Sequence, residues 1–169
     1  MESYDIYEFM ILPPNKKAKI LMNELNENNP NLNLVSDLIV IGANLDWQGQ
    51  NGFTALMLCV RWNYPEITQV LIDAGADVNI QDEFRSTALH YCVSYNHLDI
   101  ARMLIDAGAD VNLQDDDGST ALHVCASDNN PEIARMLVDA GADKTIRDNN
   151  EKLPYELAES KELHYILKV

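Results

Sequence analysis

The sequence predicts an all-α fold, a solenoid of helix–turn–helix repeats with projecting β-hairpin loops, and three observations carry that prediction. Gly42, Gly75, Gly108 and Gly141 are each 33 residues apart. Thr54, Thr87 and Thr120 keep the same spacing, as do Cys59, Cys92 and Cys125, and Asn63, Asn96 and Asn129. Between these markers, apolar residues recur at helical spacing. Self-similarity at one fixed period is the mark of a stacked array, whose units bury their apolar faces only against one another.

The elements follow in order. Residues 1–15 form an N-terminal extension, "MESYDIYEFMILPPN", in which Tyr4, Tyr7 and Ile11 fall on one helical face. That face is expected to cover the apolar side of the first repeat, with docking to a partner as the other reading. Residues 16–48 form an N-terminal capping repeat, with Leu25 in phase with Leu58 and polar outer positions suited to a terminal unit. Three full repeats span 49–81, 82–114 and 115–147. A C-terminal capping repeat, 148–169, keeps Pro154, Leu157 and Ala158 in phase. Residues 16–169 are thus read as one continuous domain.

Inside each repeat the boundaries have local causes. "TALMLCVRW", "TALHYCVSY" and "TALHVCASD" open on Thr, a good N-cap, because its hydroxyl accepts from an otherwise orphaned backbone N–H. "PEITQVLIDA", "LDIARMLIDA" and "PEIARMLVDA" make the second helices, with Pro65 and Pro131 at the first helical position, where a missing N–H is harmless. Ile67, Val70 and Leu71, with Ile100, Met103 and Leu104 and with Ile133, Met136 and Leu137, are expected to form the buried stripe. The glycine of each "GAD" then ends the helix in the left-handed conformation.

Helix, short turn, helix and projecting loop at this period resemble the ankyrin repeat. The residues that carry the resemblance are "GFTALMLC", "STALHYC" and "STALHVC", each followed by "GAD", over about residues 49 to 160. Ala55, Ala88 and Ala121 stand where the family's T-P-L-H-x-A signature has proline, a departure that leaves the helix start intact. The resemblance implies an ankyrin-type solenoid that binds another protein. The alternative it implies is stoichiometric inhibition of a host or cellular enzyme or transcription factor by covering its surface. It assigns His90 and His123 to hydrogen bonding at the helix start, and the cysteines to small buried positions. It further marks Asn79 and Asn112 as targets of an asparaginyl hydroxylase, since each follows a Leu by eight residues and an acid by two. The plainer reading is that these asparagines brace the loops.

Composition narrows the function. The 27 Asp and Glu against 12 Lys and Arg give a formal charge of −15. Such a surface repels phosphate backbones and anionic lipid, so neither nucleic acid nor membrane is expected as a partner. No run of about 18 apolar residues exists, and the acidic start does not resemble a signal peptide. Three cysteines, an odd number, fit a reducing compartment, and the expected location is cytoplasmic. No nucleophile elbow, phosphate loop or H-E-x-x-H occurs, so no catalytic residue and no cofactor is assigned. "HYC" and "HVC" lack the closely paired ligands of a structural zinc site, and no metal is assigned. "DDDG" at Asp115–Gly118 resembles part of a calcium loop, but the phase demands ligands where Leu113 and Val124 stand.

Scaffold positions repeat, so binding residues are sought where the repeats differ. The resemblance implies a concave face built from loop tips and the exposed ends of first helices. Those positions hold Phe53 and Trp62 in the first full repeat, Glu83, Phe84, Arg85 and Tyr95 in the second, and Asp116, Asp117 and Asp128 in the third. Large exposed aromatics are enriched at binding hot spots. With the acids beside them, the expected partner is a protein with a basic and apolar surface, bound by a monomer. Arg85 is the odd residue, because Gly52 and Gly118 occupy its position in the neighbouring repeats. Either its loop turns differently, or backbone strain is tolerated there.

Overall fold

In the computed structural model, residues 6–27 and 30–168 are described, and they fall into two compact units, Met1–Asp77 and Val78–Val169. Among the described residues the regular structure is helical, with no β-strand; the projecting loops are closed by turn hydrogen bonds.

The first unit contains α1 (Ile6–Met10), α2 (Pro14–Leu25), α3 (Leu32–Val40), α4 (Ala55–Arg61) and α5 (Pro65–Asp73), with a single 3₁₀ turn over Gln50–Gly52. Helix α2 packs on α3 and α4, and α4 on α5. Leu21, Leu25, Leu38, Leu56 and Leu71 are among its fully buried side chains. Thr54 caps α4, its hydroxyl accepting from the Met57 N–H at 3.3 Å. Asn31 caps α3 in the same way, accepting from Asn33 and Leu34. The ammonium of buried Lys17 donates to the Ile41 carbonyl at 2.7 Å, which neutralises the C-terminal end of α3.

The less exposed side of the extension is not the face expected. Tyr7 and Ile11 are exposed, whereas Ile6, Phe9 and Leu12 are half-buried. The chain leaves the helix after Met10, so the inward side follows a spacing of three residues, as in a tightened turn. Tyr4 lies outside the described residues.

The second unit holds α6 (Ala88–Ser94), α7 (Leu98–Asp106), α8 (Ala121–Asp128), α9 (Pro131–Asp139), α10 (Pro154–Leu157) and α11 (Lys161–Leu167). First helices stack on first helices, α6 on α8 and α8 on α10; second helices do likewise, α7 on α9 and α9 on α11. Leu89, Ile100, Leu104, Leu122, Ile133 and Leu137 fill the space between.

The buried stripe of the second helices needs correcting. Val70 is 40% exposed, and Met103 and Met136 are only half-buried, while Thr68, Ala101 and Ala134 are fully buried. At 100° per residue the inward arc runs through Ile67, Thr68 and Leu71. Small residues at the second of these positions let the helices approach closely.

The periodic asparagines also find their cause. Asn63, Asn96 and Asn129 all take φ near +55°, just past the first helices. The N–H of Asn63 donates to Val60 and that of Tyr64 to Cys59, the paired bonds that close a helix C-terminus. Asparagine is the side-chain-bearing residue that best tolerates this conformation. The glycine of "GAD" does the same for the second helices, Gly75 at φ +87° with its N–H on Ile72.

Candidate partner-binding surface

The loops of the second unit are built alike. In the first of them, Asp82 turns its carboxylate inward and accepts from the N–H groups of Phe84 and Ser86, both at 2.9 Å. Asp115 and Asp148 repeat the arrangement in the next two. These acids therefore hold turns. Asp115, the first acid of the "DDDG" run, belongs to this set.

Neighbouring loops are then tied together. The Gln81 side-chain amide donates to the Arg85 carbonyl in its own loop and to Gln114 in the next, and Gln114 does the same with Gly118 and Arg147. Asn79 accepts from the Asp110 N–H at 2.7 Å, and Asn112 from the Asp143 N–H at 2.8 Å. Both asparagines thus brace consecutive loops. Beneath them, Nδ1 of His90 accepts from the Thr87 N–H, and its Nε2–H donates to the Ser119 carbonyl at 3.1 Å. His123 makes the equivalent bonds with Thr120 and Lys152. Burial lowers the pKa of both imidazoles, and the bonds to Ser119 and Lys152 partly oppose this.

The cysteine thiols are buried. Burial raises all three pKa values, Cys92 to about 12, which suppresses the reactive thiolate. The Cys92 thiol donates to the His97 carbonyl. "HYC" thus has both its His and its Cys engaged within the scaffold.

On this frame stand the residues the sequence singles out. Glu83, Phe84 and Arg85 form an exposed loop tip, with Phe84 at 55%. Arg85 takes φ +56°, beside +74° for Gly118 and +62° for Glu151, so its turn is the common one and the strain is tolerated. Asp116 and Asp117 form the next tip and are exposed. The two tips are joined, because the Asp116 N–H donates to the Phe84 carbonyl at 3.0 Å. Asn149 continues the ladder, donating from its backbone to Asp117 and from its side chain to Asp116.

Behind the first tip, Tyr95 is 45% exposed, its ring stacked between Tyr91 and His97 at centroid distances of 6.5 and 5.7 Å. The Tyr91 hydroxyl donates to Asp82, and burial together with that carboxylate raises its pKa. Tyr91 was not among the predicted site residues. Its signal was available, since Leu58 and Val124 hold the same register. Asp128 is exposed at the end of α8, away from the loop ladder in sequence but in the register of Tyr95.

The first unit holds the remaining two candidates. Phe53 is half-buried after the 3₁₀ turn. Trp62 is 39% exposed, donates its indole N–H to Asn26, and carries the Arg61 guanidinium over its ring at 5.4 Å.

Stacked helix–turn–helix units with ladder-tied loops define a repeat scaffold. The chain belongs to the ankyrin-repeat family: the model described as ankyrin repeats (3 copies) matches residues 21–115 and 75–148. Repeats of this family are generally protein–protein interaction modules and are typically not enzymes. No curated protein matches the chain in sequence. No helix among the described residues is long and apolar enough to cross a membrane.

Proposed function

We propose that the protein acts by binding a partner protein through its concave face and loop tips, and that the second unit takes a segment offering an apolar anchor beside Lys or Arg. The observation that carries this reading is the bond from the Asp116 N–H to the Phe84 carbonyl. It fixes an exposed aromatic and two exposed carboxylates side by side on rigid tips, with Tyr95 behind them. Preorganised aromatics supply affinity at small entropic cost, and the acids steer a basic partner and set its register.

The test is capture from a lysate of the native cell, with proteins identified by mass spectrometry. Phe84→Ala with Tyr95→Ala should abolish capture while leaving the thermal unfolding curve in place, and Asp116→Lys with Asp117→Lys should weaken it in a salt-dependent way. Undiminished capture by both variants would overturn the reading. A single enzyme or transcription factor in the eluate makes the protein an inhibitor by occlusion; a mixed complex makes it an adaptor.

A further inference from the structure

One register position breaks the loop pattern. Asp82, Asp115 and Asp148 each anchor a loop, but the equivalent residue in the first full repeat is Gly49. The backbone bond of the other loops is kept, the Gly49 N–H donating to the Phe53 carbonyl at 2.8 Å as the Asp82 N–H does to Ser86 at 3.0 Å, but Gly49 brings no carboxylate to the turn. The space a Cβ would take is filled by the Met22 thioether, 3.1–3.2 Å from that position, and by the Trp47 ring at 3.2 Å.

The helix before this loop is unusual as well. Helix α2 runs for 12 residues where α4 runs for 7, so extra helical turns stand where later repeats have a loop. Between those turns and the Gln50–Gly52 turn lies a cleft of about 390 Å³, within the range of ligand-binding pockets. Met22 and Leu58 line it with Trp47 and Phe53, and Lys19 and Arg61 supply its charge.

That charge runs against the rest of the molecule. In a chain with 27 acids and 12 basic residues, the lining contains two cations and no acid. Among the described residues neither cation is in an ion pair. The nearby Glu24 is engaged elsewhere, accepting from the Asn31 N–H. Arg61 is held in place by stacking on Trp62, which is in turn fixed by its bond to Asn26.

We propose that this cleft is a second docking site, of opposite polarity to the first, for an extended partner segment carrying an aromatic side chain flanked by Asp or Glu. The aromatic ring sits on Met22 between Trp47 and Phe53, where thioether and ring contacts favour it. Its carboxylates pair with Lys19 and Arg61. Asn23 and Asn51 on the rim offer amides to the peptide backbone. A long polyanion is disfavoured by the net charge of −15, so the acidic stretch is short. This inference rests on the reading of the chain as a protein-binding module.

The protein's two tryptophans make the test direct, since Trp47 lines the cleft and Trp62 backs Arg61. The probes are a synthetic peptide with Phe between pairs of Glu, the same peptide with Lys for Glu, and one with Gly for Phe. The first should shift tryptophan emission saturably at up to about 1 mM, a weak but specific affinity. The other two should bind at least about tenfold more weakly, and added salt should weaken the first. Lys19→Glu with Arg61→Glu should cost about tenfold or more, and Lys19→Gln, neutral and exposed, a smaller factor. Absence of a saturable shift, equal binding of the Lys peptide, or an unchanged affinity in the double variant would each overturn the proposal. Native-partner capture separates the two readings. If the peptide tests fail while capture still depends on Phe84 and Tyr95, this cleft is not a docking site and the first reading stands.

Discussion

Arg85 and Gly118 occupy one register position, yet substitution should move them in opposite directions. Arg85 sits at φ +56° with an exposed side chain, and its turn is held by backbone atoms: its N–H donates to Asp82, and its carbonyl accepts from Gln81. A side-chain-bearing residue in the left-handed region costs about 1–2 kcal/mol. Arg85→Gly removes that cost but adds about 0.4–1 kcal/mol of unfolded-chain entropy. The net is a stabilisation of about 0.5–1 kcal/mol, or roughly 0.3–0.5 M in a urea midpoint if the slope is about 2 kcal/mol/M. Gly118→Ala meets a different environment. Its φ is +74°, and a Cβ there would lie 2.8 Å from the Asn149 backbone nitrogen and 2.6 Å from its side-chain oxygen. Asn149 must retreat, straining its 2.9 Å bond to the Asp117 carbonyl, so backbone strain and a weakened hydrogen bond add to about 2 kcal/mol of destabilisation. Urea unfolding followed by circular dichroism reads both. A lower midpoint for Arg85→Gly would mean that the guanidinium makes a stabilising contact. A neutral Gly118→Ala would mean that the loop ladder yields freely. Either result refutes the reasoning.

Three further outcomes follow from the same scaffold. His90 and His123 have folded pKa values lowered by burial, so the folded state binds fewer protons than the unfolded one below the free imidazole value of about 6.5. Their stability contribution is complete above that pH and is lost as pH falls below it, by up to about 1.4 kcal/mol per pH unit for each group. Urea midpoints between pH 5.5 and 7.5 should show this slope, and His90→Gln with His123→Gln should reduce it, leaving the share of His97, whose pKa burial also lowers. Asn112→Ala removes the acceptor of the Asp143 N–H and should cost about 1 kcal/mol, read as a lowered urea midpoint. Iodoacetamide at pH 8 should leave the three buried thiols unmodified in the native protein and alkylate all three in urea, as intact mass would show.

The helices were legible because their ends are chemical: Thr54, Thr87 and Thr120 can only help a helix by starting it, and Pro65 and Pro131 fit only its first turn. The inward face was less so. Val70 is as apolar as Ile67, and hydrophobicity alone cannot show that close helix packing prefers Thr68, Ala101 and Ala134. The Asn register was visible without its meaning, which lies in a backbone angle. At the candidate site, exposure of Phe84 and Tyr95 followed from register, but the pairing of Phe84 with Asp116 depends on loop backbones that no side-chain pattern encodes. The cleft of the first unit was hidden for a further reason. Lys19 and Arg61 share no period, because the extra turns of α2 put Lys19 where later repeats have a loop. Its trace in the sequence is a single substitution, Gly49 in the column of Asp82, Asp115 and Asp148. In a repeat array an absent acid is as informative as an added aromatic: removing one loop carboxylate leaves room for Met22 and Trp47, beside Lys19 and Arg61, which form no ion pair among the described residues.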